Sequence, residues 1–150
     1  MKIPDQLVSF LQKQGFVVVS TLDKKGNIHN SAKGIVETKD DKIYLIDLYK
    51  KRTFLNLKNN PKISITAIDE RKFLGFTLKG KAKVLKGRIK EEILEKWEKK
   101  VIKRILKRVM RSIKEERKSS SQPEASFTSP KYLIEMEVEE VIDLVPAHLK

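Results

Sequence analysis

The sequence contains no cysteine and only two histidines, His29 and His148, set far apart with no carboxylate pattern around either. The missing thiols exclude disulfides, thiolate catalysis and cysteine-ligated zinc or iron–sulfur centres. The isolated histidines give no reason to expect a metal, and none is proposed. No apolar run approaches the roughly 20 residues that a membrane span needs, and the opening MKIPDQLVSFLQKQGF lacks the apolar stretch of a secretion signal. The expectation is a cytoplasmic protein without a membrane span. Glycine and proline are sparse, at 6 and 5 of 150 residues, so the few that occur mark the turns.

Charge is what the chain has in excess. Lysine and arginine number 33 against 20 acidic residues, a net charge of +13, a field that attracts phosphates, nucleic acid or anionic lipid alike. Residues 87–118 hold 13 bases and 6 acids, about half of that excess in one segment. Apolar residues still make up 39%, enough for one core, and 150 residues suit a single domain spanning 1–150.

Hydrophobic periodicity divides the chain. Pro4 to Lys13 reads as a short amphipathic helix, with Leu7, Phe10 and Leu11 at spacings of three and four. Phe16 to Leu22 and Ile28 to Glu37 flank the turn DKKGN and form a hairpin, and Asp40 and Asp41 lead into a third strand, Lys42 to Leu48. On that strand Ile43, Leu45 and Asp47 share one face and Tyr44, Ile46 and Leu48 the other. Lys51 to Lys58 turns helical and ends at Asn59, Asn60 and Pro61. Two more strands follow, Ile63 to Ile68 and Phe73 to Leu85, the latter with Gly75 and Gly80 at expected bends, bulges or close ligand approaches. Tyr132 to Val138 and Glu140 to Val145 supply one or two closing strands. The expected fold is mainly β, a six- to seven-stranded antiparallel barrel with flanking helices, since closure removes exposed strand edges.

Between the last strands lies a helical insertion, about 87–118, followed by a serine- and proline-rich loop over 119–130. Its apolar positions step mainly by four, so the stripe drifts about 40° per step around the helix. A straight helix cannot bury such a stripe on one surface. The drift predicts either a break near Glu98 to Lys103 or two halves packed on different surfaces, one of them a partner subunit. Lys99, Lys100, Lys103, Arg104, Lys107, Arg108 and Arg111 form a positive ridge. Single-strand recognition usually interleaves aromatic residues, and Trp97 alone, placed between Ile93 and Val101, reads as core. Nucleic acid is therefore an open but unfavoured partner, and a solvated face is the simpler reading.

The best candidate for chemistry is the junction after the third strand. Lys50, Lys51, Arg52 and Thr53 stand where a strand delivers the chain to a helix N-terminus, with free amides and a dipole suited to an anion. An arginine fork, a lysine charge and a threonine hydroxyl fit a phosphate; a basic, solvated turn fits the same residues.

The run KRTFLNLKNNP resembles the R-K-x-x-N-L-x-x-N-P element of the pyridoxamine phosphate oxidase-like split-barrel proteins that bind flavin mononucleotide (FMN), and element order agrees over about residues 5–145. The resemblance implies a homodimeric split barrel with FMN at the subunit interface. Arg52 falls on the family's phosphate-binding arginine, and Thr53 replaces the usual lysine, leaving Lys51 or Lys50 to supply the second charge. The second strand passes the flavin ring and ribityl chain in such proteins, so Asn30, Ser31, Ala32 and Lys33 are implied contacts. Ile46 and Asp47 flank the same groups. Gly75, Phe76 and Thr77 match the strand that closes the site, often from the second subunit. Deazaflavin or haem replaces FMN in some relatives. The chain departs from the true pyridoxamine phosphate oxidases in two places: its ending, VEEVIDLVPAHLK, lacks their Trp- and Arg-containing substrate segment, and Ser31 stands where they carry an arginine. What is implied is a flavin-dependent oxidoreductase of unknown substrate, with a non-catalytic flavin carrier or sensor and a basic nucleic-acid-binding module as alternatives.

Overall fold

The computed structural model describes residues 2–49, 51–115, 124 and 130–150. Helix α1 (Asp5–Lys13) precedes β1 (Val17–Leu22), β2 (Ile28–Lys39) and β3 (Lys42–Asp47). Then come α2 (Arg52–Asn59), β4 (Lys62–Asp69), β5 (Leu74–Val84), α3 (Glu91–Lys114), β6 (Tyr132–Asp143) and a 3₁₀ turn (Ala147–Leu149). The strands close into a barrel in the order β1-β2-β3-β6-β5-β4, with β4 pairing back to β1 and every pair antiparallel. The chain is mainly β with flanking helices, as the alternation of its apolar residues predicts.

Alternation also sets the interior. Val17, Val19, Ile43, Leu45, Ile63, Ile65, Leu78, Ile134 and Met136 point inward and are buried, and Leu7 and Leu11 of α1 join the same core. A second, smaller cluster lies outside the barrel wall, where Val36, Ile46 and Leu133 meet Ile93 and Trp97 of α3. Alternation along β2 lets consecutive residues serve both cores, Ile35 facing the barrel and Val36 facing α3. A bulge between Ile35 and Glu37 leaves Val36 as the extra residue and re-aims the side chains that follow it.

The two closing segments form one strand, not two. A register shift at Lys79 and Gly80 leaves Glu139 as the extra residue of β6. A Cβ at Gly80 would lie 1.9 Å from the carbonyl oxygen of Glu137, so glycine permits the close approach that absorbs the bend. The strand count settles at six.

The insertion corrects two expectations. Helix starts at Glu91, because Gly87 has φ of +93° and turns the chain before Glu91 and Glu92 meet the positive end of the helix dipole. No break occurs near Glu98 to Lys103, since nothing in 91–114 interrupts the hydrogen-bond ladder. The drift of the stripe remains. Ile93 is buried, whereas Ile102, Leu106, Met110 and Ile113 are each more than half exposed. Of the expected loop over 119–130, only Glu124 and Pro130 are among the described residues, and 116–118 also lie outside them. Among the described residues no helix is long and apolar enough to cross a membrane.

Candidate functional site

Helix α2 begins in a way that leaves its amide end available. Lys51 occupies the cap position without a side-chain hydrogen bond to the first turn, and Lys51 and Arg52 are both exposed. The helix is anchored from below. Asn56 is buried and donates to Thr21 Oγ1 at 3.0 Å, and the Thr53 and Ser31 hydroxyls lie 3.0 Å apart. Phe54 packs edge-on against the Tyr132 ring, with centroids 4.9 Å apart. The first turn is thus a fixed platform bearing two solvent-facing cations, the arrangement an anion needs.

At the end of β3, Asp47 is buried and fully engaged. Its carboxylate accepts from the Tyr132 hydroxyl, from Lys33 Nζ at 3.1 Å and from the backbone N–H of Tyr49 at 3.0 Å. Burial pushes the Tyr132 phenol strongly upward, and the neighbouring Asp47 charge adds to the shift. Tyr132 therefore stays a neutral donor. Lys33 is only 10% exposed, and a lysine so buried needs its counter-ion.

Lys33 and Asp47 form part of the wall of a cleft of about 250 Å³ between β2, β3 and α3. Ala32, Val36, Ile46 and Leu48 supply its apolar floor, and Trp97, Lys100, Val101 and Arg104 overhang it. The Lys100 ammonium donates to the carbonyl of Ile35, and Arg104 Nη2 donates to the carbonyl of Gly15. Desolvation lowers the Lys100 pKa, with the nearby charges of Arg104 and Lys103 adding to it.

The residues singled out from sequence fall into three groups. Ser31 and Thr53 meet each other, with Arg52 and Lys51 beside them on the same helix end. Ala32, Lys33, Ile46 and Asp47 line the cleft, while Asn30 is turned to Ser20, whose hydroxyl donates to it at 2.6 Å. Gly75, Phe76 and Thr77 lie on β5, across the barrel from β2; there Thr77 meets Thr66 at 3.2 Å and Phe76 packs against Phe10. Among the described residues, no hydrogen bond or ring contact links Gly75, Phe76 or Thr77 to Ser31, Arg52 or the cleft. Lys50 lies outside the described residues.

Four further residues carry no distinct signal in the sequence. Tyr132 reads only as a strand residue, and Asn56 only as part of a motif. Lys100 and Arg104 belong to a positive ridge whose simpler reading is a solvated face. Their spacing from Trp97, at three and seven residues, puts all three on the barrel-facing side of a 3.6-residue helix, whereas Lys99, Lys103, Lys107 and Arg111 are exposed.

Comparison with known proteins agrees with the fold. HupZ from Group A Streptococcus shares the fold at a TM-score of 0.67 and 20% identity, over 95% of each chain. HutZ, the haem storage protein of Vibrio cholerae, does so at a TM-score of 0.56 and 17% identity, over 95% of this chain and 94% of its own. An FMN-binding protein from Syntrophomonas wolfei aligns at a TM-score of 0.55 and 12% identity, over 85% of this chain and 76% of its own. No curated protein matches the chain. The model of the pyridoxamine 5'-phosphate oxidase family matches residues 3–144, the whole barrel with its inserted helix, and to that family the chain belongs.

Proposed function

We propose that the protein binds FMN and uses it as an oxidoreductase, as a homodimer in which the cofactor sits between subunits. The observation that carries the reading is the uncapped first turn of α2 with Lys51 and Arg52 exposed above it. Residues present fit a phosphate monoester: an arginine fork, a lysine and backbone amides at the positive end of a helix. Thr53, buried against Ser31, fixes the turn more than it binds, so the second charge comes from Lys51 or from Lys50.

FMN, when bound, supplies hydride or electron transfer. The chain's residues would orient it. Arg52 and Lys51 hold the phosphate, Ser31 stands at the ribityl side, and Ala32 and Ile46 offer apolar surface beside the ring. Asp47 holds Lys33 in place at the cleft wall and is not itself a free ligand. The partner's Gly75, Phe76 and Thr77 would close the site; apolar side chains exposed around Gly75, namely Ile68, Phe73, Leu74 and Leu144, suit a covered surface.

The test is the visible spectrum of the purified protein with and without added FMN, after filtration to remove free ligand. One retained FMN per subunit, reduced by NADH or NADPH, is the expected result. Retention without reduction would leave a carrier or sensor, and no retention at high FMN would sink the flavin reading. A second reading, haem, is favoured by the likeness to HutZ; a haem spectrum after adding hemin, with no flavin retained, would select it.

A further inference from the structure

The cleft beside α3 carries more positive charge than its own carboxylate can answer. Lys33, Lys100 and Arg104 line it, and Asp47 is the one acidic residue among the described lining. That carboxylate is already taken by Lys33, Tyr132 and Tyr49. Glu124 also reaches Arg104 electrostatically, yet both its oxygens are held by Arg108, at 2.5 and 2.8 Å. Lys100 and Arg104 are left with backbone carbonyls as their hydrogen-bond partners. The Nε of Arg104 is buried with no hydrogen-bond partner among the described residues. A buried donor left unpaired destabilises the empty protein, more so when charged, and a ligand oxygen would remove that cost.

We propose that this cleft takes a small organic anion with a flat apolar body, its carboxylate or phosphate seated against Lys100 and Arg104. Trp97 and Val101 cover the body from α3, and Val36 and Leu48 lie beneath it. At about 250 Å³ the space falls just below the ~300–1,000 Å³ usual for ligand pockets, so the occupant is small. Lys100 has three donors, of which Ile35 uses one, and Arg104 adds the Nε. The anion's role as substrate rests on the flavin reading; its binding does not.

Trp97 is the chain's one tryptophan, so its fluorescence reports on the cleft directly. Protein stripped of FMN and protein loaded with it would each be titrated with benzoate and with phenyl phosphate. The expected result is a saturable change in both forms, weakened about tenfold or more in Arg104→Gln and in Lys100→Gln, and not reproduced by sodium chloride at equal ionic strength. The tighter of the two probes identifies the charged end. Arg104→Lys, which keeps the charge and loses the Nε donor, should bind weakly as well, and its unchanged melting temperature would separate binding from folding. No saturable change, or equal binding by all variants, overturns the proposal. So does loss of FMN retention in Arg104→Gln, which would give the cleft to the cofactor. Probe binding that persists while FMN fails to bind would sink the flavin reading and leave this one standing.

Discussion

Two clusters of positive charge flank the same pair of strands and are built in opposite ways. Lys51 and Arg52 stand in water at the start of α2, while Lys100 and Arg104 lie on the barrel-facing side of α3 with carbonyls for company and one donor unpaired among the described residues. Exposed cations cost folding almost nothing, and their removal shows only when a ligand is present. Desolvated cations cost stability in the empty protein and are repaid by a ligand. The same residue types thus give opposite signatures, and the comparison can be broken by measuring stability and binding side by side.

The largest effect should come from Asp47, the one acidic residue among the described lining of the cleft and the ion-pair partner of Lys33. Asp47→Asn keeps an acceptor for Tyr132 but strands Lys33, and breaking a buried ion pair costs about 3–5 kcal/mol. At ~2–4 °C per kcal/mol for a chain of this size, thermal melting should fall by roughly 6 °C or more; an unchanged melting temperature would show that Lys33 finds water instead. Next comes Arg52→Ala. One charge-assisted contact of about 1.5–3 kcal/mol is lost, so FMN affinity should drop on the order of 10- to 100-fold with no shift in melting. A drop in melting without a change in affinity would reverse the assignment of the two clusters.

How much of this was visible in the sequence follows from the range of the interactions. The barrel strands and α2 are coded by short-range alternation, by the turns at Gly26 and at Asp40 and Asp41, and by the Asn59 to Pro61 stop, so their boundaries were readable to within a residue or two. The exposed basic start of α2 was readable for the same reason. The engagement of Asp47 with Tyr132, 85 residues away, was not, because nothing local in YLIDLY or YLIEM marks the pairing of β3 with β6. Nor was the division of the α3 cations into inward and outward sets, which depends on the side of the helix that Ile93 and Trp97 present to Val36 and Ile46. Of the two outcomes expected for α3, the break does not occur, for a related reason. A drifting stripe forces a break only when all of it must be covered, and Ile102, Leu106, Met110 and Ile113 are left exposed.

Lys100→Met should act in the direction opposite to Asp47→Asn. It keeps the aliphatic stem over the cleft and removes the desolvated charge, together with its repulsion from Arg104 and Lys103. Melting of the ligand-free protein should rise by about 2–4 °C, the shift that 1 kcal/mol gives at this length. A fall would mean that the hydrogen bond to Ile35 outweighs the burial penalty, and the contrast between the clusters would collapse.

The finest test is the pH dependence of that gain. Lys100 has a folded pKa below its ordinary value of 10.5, so between the two the unfolded chain holds a proton that the folded one lacks. Stability therefore rises with pH across that window, and the penalty is fully present below it. Tyr44 and Tyr132 pull the other way, since burial raises both above the ordinary 10.0 and their folded forms keep protons that the unfolded chain releases at high pH. The alkaline profile of the native protein mixes these signs. Subtracting the profile of Lys100→Met cancels the tyrosines and leaves the lysine: the advantage of the variant should be constant near neutrality and shrink as pH approaches 10.5. An advantage that stays flat to that pH would show that Lys100 is solvated, and its place beside Arg104 would then be no different in kind from that of Lys51 beside Arg52.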